Sequence, residues 1–117
     1  MGYDIQFKLR TIDGPTVTVG EQYANITWNV GDMIRAATGL EWRNEEDNGL
    51  CVDVMPKIVD GLKELVTNPQ KYKKYEAPNG WGTIDGTIDF FNTLILDWSH
   101  FCTAYPQFVD EARFWIE

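Results

Sequence analysis

The most regular signal in the sequence runs from residue 84 to residue 105. Ile84, Ile88, Phe91, Ile95, Trp98 and Cys102 recur at spacings of four and three, and Phe90, Leu94, Phe101 and Tyr105 widen the stripe. An α-helix returns side chains at that interval to one face. A stripe so broad has to be covered. Any fold open to this chain must therefore supply a layer for a long helix to lie on, and Ile88, Phe91, Ile95 and Trp98 are expected to face it. Pro106 ends the helix.

The covering layer is legible at the two ends of the chain. Tyr3, Ile5, Phe7 and Leu9 alternate with Asp4, Gln6, Lys8 and Arg10, a period of two that predicts a half-buried strand. Asp13-Gly14-Pro15 is turn chemistry. Val17, Val19 and Tyr23 then alternate with Thr16 and Thr18, predicting the second strand of a hairpin. Ala112, Phe114 and Ile116 alternate with Arg113, Trp115 and Glu117, predicting a third. Between them Val30, Met33, Ile34 and Ala37 predict a short helix over 30–38, with Asn29 as N-cap, Asp32 in its first turn and Gly39 as terminator. Residues 41–49 read as an acidic connector. Asp53 is expected to cap a helix carrying Val54, Met55, Ile58, Val59, Leu62, Leu65 and Val66, with Pro56 in its first turn, Gly61 weakening its middle, and Asn68-Pro69 stopping it. The expected order is β-β-α-α-α-β. It is an α+β fold, one domain over 1–117, with helices packed on one face of a small, mainly antiparallel sheet.

The segment before the long helix, "APNGWGTIDGTIDFFN", places glycine on both sides of Trp81. Glycine and Pro78 there predict a sharp turn. Thr83 is the expected N-cap, with Asp85 and Asp89 in the first two turns, where negative charge suits the helix dipole. Trp81 either folds back as a plug over the helix start, the preferred reading, or stays outside as an anchor.

A chain of 117 residues buries roughly 65% of its unfolded surface, enough to dispense with a disulfide or metal staple. Apolar content of 44% and five tryptophans argue against disorder. Eighteen acids against ten bases give a formal charge of −8, which disfavours nonspecific attachment to DNA or anionic membrane. No apolar run approaches the roughly 18 residues of a membrane span. With no secretory apolar region read at the start, the expectation is a cytoplasmic protein whose Cys51 and Cys102 are free thiols.

Few residues suggest catalysis. Asp85 and Asp89 share a helix face and could hold a metal or act as acid and base. Without a third ligand, dipole complementation on a solvated face is the preferred reading. His100, the single histidine, points away from the apolar stripe and reads as a surface residue. No P-loop, dinucleotide fingerprint or paired CxxC is present, and no cofactor is implied. Lys71, Lys73 and Lys74 interleave with Tyr72 and Tyr75, a composition that can bind single strands. A solvated loop over packed tyrosines is preferred, so no direct nucleic-acid contact is expected. More informative is the acid distribution. Residues 76–111 contain no lysine or arginine but hold Glu76, Asp85, Asp89, Asp97, Asp110 and Glu111, and a second cluster is Glu41, Glu45, Glu46 and Asp47 around Arg43. Together with Trp42 these form a candidate surface for a partner with a basic face, set against ordinary solubilising charge.

Finally, "YDIQF", "NITWNVGDMIRAATG" and "PQKYKKYEAPNGWGTIDG" resemble a family of small uncharacterised proteins of bacteriophages and prophages. The similarity spans nearly the whole chain and is most specific at Asn25–Asn29 and Asn79–Thr83. It implies a phage or prophage accessory protein acting in the host cell. Small phage proteins of this sort include inhibitors of host defence, so a defence nuclease or CRISPR effector is the partner class it suggests. The resemblance carries no catalytic residue or cofactor. The segment E-W-R-N-E-E-D-N departs from the family pattern. Two other readings stand beside it: a small-ligand binder or enzyme with a polar pocket from Asn25, Asn29, Asn79 and Trp81, and an assembly protein acting as a homodimer.

Overall fold

The computed structural model describes residues 2–10, 14, 16–19, 24–78 and 80–117. Strand β1 (Gly2–Arg10) obeys its period of two, with Tyr3, Ile5 and Phe7 buried and Asp4, Gln6 and Lys8 half-buried. It pairs antiparallel with β2 (Thr16–Thr18), β3 (Asn25–Thr27) and β5 (Arg113–Ile116). The Ile5 N–H donates to the Ala24 carbonyl at 3.0 Å, and Phe7 accepts from the Val19 N–H at 3.0 Å. Asp4 instead exchanges bonds of 2.9 and 2.8 Å with Glu117. Odd residues of β1 thus bond one edge and even residues the other, so β2 and β3 lie end to end along the same edge. Strand β4 (Glu46–Leu50) pairs with the far side of β5, giving the order β2-β1-β5-β4, with every pairing antiparallel.

The expected hairpin and C-terminal strand are present. Asp13, Pro15 and Tyr23, assigned to the first turn and the second strand, lie outside the described residues. Strand β4 falls in and just beyond the segment read as an acidic connector, and β3 in a stretch to which no strand was assigned. β3 is only three residues long. β4, with the sequence EDNGL, lacks both β-branched residues and apolar alternation. It pairs through a register shift between Asp47 and Leu50, and Arg113 of β5 binds the Asp47 carboxylate. A strand held by a cross-strand ion pair leaves no hydropathic signature.

Three helices cover the inner face of the sheet. A 3-10 turn (Trp28–Val30) leads into α1 (Gly31–Thr38). Asn29 lies inside that turn rather than capping the helix. Gly39 closes α1 with φ +74°, its N–H bonding Arg35 at 2.9 Å. Helix α2 (Cys51–Thr67) begins two residues before Asp53, so Pro56 sits within the helix, one turn further in than expected. Gly61 has a packing reason. A Cβ there would come within 2.5 Å of the Thr38 side chain and 3.3 Å of the Phe91 ring, so its absence lets α2 lie close to both α1 and α3.

Helix α3 (Ile84–Ala104) starts on Thr83, whose hydroxyl oxygen accepts from the Gly86 N–H at 3.0 Å. The Glu76 carboxylate accepts from the Ile84 N–H at 2.9 Å, so two N-terminal donors are satisfied. Its buried residues are Ile84, Thr87, Phe90, Phe91, Leu94 and Phe101, while Ile88, Ile95 and Trp98 are half-buried. The expected face is therefore rotated: of the four residues assigned to it, Phe91 alone is fully buried. A helix that touches a sheet and a neighbouring helix buries a broad sector, and hydropathy finds that sector without finding its centre.

The core joins these layers through aromatic contacts. Phe7 meets Trp98 and Phe101 edge-on at 5.3 and 5.4 Å, and Trp42 packs against Tyr3, Phe90 and Phe114 at 5.7–6.0 Å. The other face of the sheet is polar, with Lys8 paired to Glu117 at 3.3 Å and lying over the Trp115 ring. The Lys-Tyr segment forms two short 3-10 turns with Tyr72 buried beneath them. Among the described residues no helix is long and apolar enough to cross a membrane.

Candidate functional site

Two segments far apart in the sequence, 25–29 and 80–83, meet in space. Gly82 is buried at φ +88°, and a Cβ on it would stand 2.9 Å from Asn29 Cβ and 3.2 Å from Val30 Cγ1. The loop before α3 therefore lies directly on the 28–30 turn, and only glycine permits both the approach and the backbone angle. This is the physical reason for a glycine after Trp81. Gly80, before it, also has a positive φ of +80° but open space around it.

Trp81 is not a plug: it is 65% exposed. With Thr27, Trp28 and Asn29 it lines a cleft of about 440 Å³. Trp28 is itself 40% exposed, and its ring is fixed from behind. The indole N–H donates to the Gly2 carbonyl at 2.8 Å, and the Tyr3 ring lies 6.5 Å away, tilted by 48°. Of the residues assigned to a polar pocket, Asn29 and Trp81 come together here. Asn25 borders a different cleft of about 630 Å³, with Ala24, Ile26, Gly86, Asp89, Phe90 and Thr93. Asn79 lies outside the described residues. Trp28, absent from the sequence-derived set, was detectable only as an aromatic among polar neighbours in the NITWN stretch.

The acidic segment 41–47 is not a free connector. Arg43 pairs with Glu41 at 3.3 Å and with Glu46 at 3.0 Å. Asn48 accepts from the Arg43 N–H at 2.8 Å and donates to the Arg43 and Glu46 carbonyls. Asp47 binds Arg113 and accepts from the Gly49 N–H at 2.8 Å. Glu45 is exposed at φ +58°, in the turn that aims the chain into β4. Trp42 is corrected outright as a surface anchor. It is 1% exposed, sits at φ +50° and fills the space between sheet and helices. Most carboxylates of this cluster are already matched by cations of the same fold.

The carboxylates of α3 are placed differently. Asp85 and Asp89 are exposed in the first two turns and take part in no ion pair among the described residues. Asp97 is half-buried and accepts from the Ala24 N–H at 3.1 Å, tying the start of β3 to α3. Burial pushes its carboxyl above the ordinary range, against the opposing pull of the Ala24 N–H and His100. Asp97 is thus a structural residue, whereas Asp85 and Asp89 are available on the surface. Segments 24–29 and 80–93 contain no lysine or arginine. The nearby Arg35 is occupied by Asp32 and by the carbonyls of Glu41 and Trp42.

Among the described residues no three His, Cys, Asp or Glu side chains gather in a way that could hold a metal. Cys51 and Cys102 are free thiols. Burial raises both above the ordinary thiol range, Cys51 more strongly, which disfavours the reactive thiolate at neutral pH. Two exposed tryptophans, two clefts and the exposed carboxylates Asp85 and Asp89 are thus carried by the 24–29 segment, the loop before α3 and the first turns of α3. No protein family, no curated protein and no solved structure matches this chain.

Proposed function

We propose that this chain is a phage or prophage accessory protein that acts in the host cytoplasm by binding, without catalysis, a host protein with a basic surface. A defence nuclease or CRISPR effector is the partner class suggested by the resemblance in its sequence. The observation that carries the reading is the occurrence of exposed Trp28 and Trp81, and of Asp85 and Asp89, which take part in no ion pair among the described residues, on segments free of lysine and arginine. Exposed aromatics supply contact area, and matched charge supplies steering and register. The acidic cluster at 41–47 contributes less, because Arg43 and Arg113 already balance it.

The test is association with a basic host protein recovered on the chain, measured at low and high salt. Asp85→Asn with Asp89→Asn should weaken it and flatten its salt dependence. Neutralising Glu41 and Glu45 should change it little. Association indifferent to salt and to both pairs would remove the charge argument. A second reading has its own observation: a cleft of about 440 Å³ between Asn29 and two tryptophans is within the usual size of small-molecule sites. That reading expects a small molecule to raise the melting temperature, with the effect lost in Trp81→Ala.

A further inference from the structure

We propose that the cleft between Trp28 and Trp81 seats an arginine side chain of the partner protein. The inference rests on the binding role proposed above and assigns the chemistry of its central contact. The cleft has a fixed base on both sides. Trp28 is held by its hydrogen bond to Gly2, and the backbone carrying Trp81 is held by the buried contact of Gly82 with Asn29 and Val30. Two indole rings with large exposed areas present electron-rich faces, which attract a cation. Guanidinium is planar, weakly hydrated and suited to lying against an aromatic surface, more so than an ammonium.

Charge makes the same choice. The residues lining the cleft are Thr27, Trp28, Asn29 and Trp81, with no cation among them, and the helix that begins just beyond Trp81 opens with Asp85 and Asp89, so an approaching guanidinium meets no like charge on these segments. A nucleobase would also stack on tryptophan, but its phosphates would find no basic residue on segments 24–29 and 80–93 to receive them.

The experiment is a titration of the full chain, labelled with 15N, by an acetylated glycine pentapeptide with a central arginine. The control is the same peptide with citrulline, which keeps the shape and loses the charge. The expected result is a saturable shift of the Trp28 and Trp81 indole N–H signals, about tenfold weaker for citrulline, absent in Trp81→Ala and retained in Trp81→Phe. Equal responses to arginine and citrulline, a stronger response to adenosine monophosphate, or no response at all would overturn the proposal. The outcome separates from that of the broader reading. Failure of the titration while salt- and Asp85-dependent association with a host protein persists overturns only the arginine seat. A charge-specific titration without any such association supports the seat and removes the broader reading.

Discussion

Gly82 sets the geometry of the proposed face more directly than any charged residue does. Its φ of +88° and its contacts with Asn29 and Val30 mean that an added Cβ meets two separate penalties. Backbone strain alone costs an L-residue roughly 1–2 kcal/mol in this region. Gly80 shares the positive φ but has no neighbour within 4 Å of the missing Cβ. Gly80→Ala should therefore lower unfolding free energy by about 1 kcal/mol, and Gly82→Ala by about 2 kcal/mol or more. Urea unfolding of the two variants measures the difference, and equal losses would show that the loop does not press on the 28–30 turn. Asp97 offers a second residue-scale prediction. Burial raises its carboxyl, so the folded state holds the proton more tightly than the unfolded chain does. Ionisation then weighs against folding. The penalty appears as pH rises above the unfolded value of about 4 and is complete above the folded value; it is relieved as pH falls. Asp97→Asn keeps an oxygen to accept the Ala24 N–H and removes the ionisation. Its stability relative to wild type should rise between pH 4 and neutrality. A variant that loses ground over that interval would mean the carboxylate is net stabilising.

At the scale of elements, the buried side of α3 can be tested by neighbours. Leu94 is fully buried and Ile95 half-buried, although both belong to the apolar stripe. Leu94→Ala should cost about 2–5 kcal/mol and Ile95→Ala about 1–2 kcal/mol, because the latter leaves a smaller void and loses less burial. Chemical denaturation orders the two, and the reverse order would restore the face expected from the sequence. The same helix shows what hydropathy can reveal. Its length, its Thr83 cap and its start were legible because a 3.6-residue period, a capping oxygen and a turn all act locally. Strand β1 was legible for the same reason. Strand β4 was not, since its pairing rests on Arg113, sixty-six residues from Asp47, and nothing in EDNGL announces a sheet. The site was legible only in part. Asn29 and Trp81 were assigned to one pocket together with Asn25 and Asn79, but their meeting depends on the approach of Gly82, which the sequence does not reveal, and Trp42 and Trp81 exchanged their expected places. A tryptophan's hydropathy does not say which end of the chain will cover it.

On the scale of the whole molecule, the sheet order places the end of the chain in the middle of the architecture. Strand β5 lies between β1 and β4 and contributes Phe114 and Ile116 to the core. Its carbonyls and N–H groups are bonded along both edges, by β1 from Ile5 to Lys8 and by β4 from Glu46 to Leu50. The neighbouring Ala112 carbonyl accepts from the Cys51 N–H at 2.8 Å, at the start of α2. Such contacts join segments roughly sixty to a hundred residues apart, so the chain pays most of its loop-closure entropy before the sheet is complete. Removing residues 113–117 should then do far more than shorten an edge. β4 would lose its only partner strand among the described residues, Phe7 and Trp42 would lose the Phe114 ring, and both remaining sheet fragments would present unpaired inner edges. Burial of two large side chains is worth roughly 3–6 kcal/mol, comparable with the whole stability of a domain this size. The truncated chain is expected to show no cooperative melt and to lose its near-ultraviolet circular dichroism, while helical signal persists in part. A cooperative transition with native aromatic dichroism after that deletion would mean the helices and β1 fold as a unit without the closing strand.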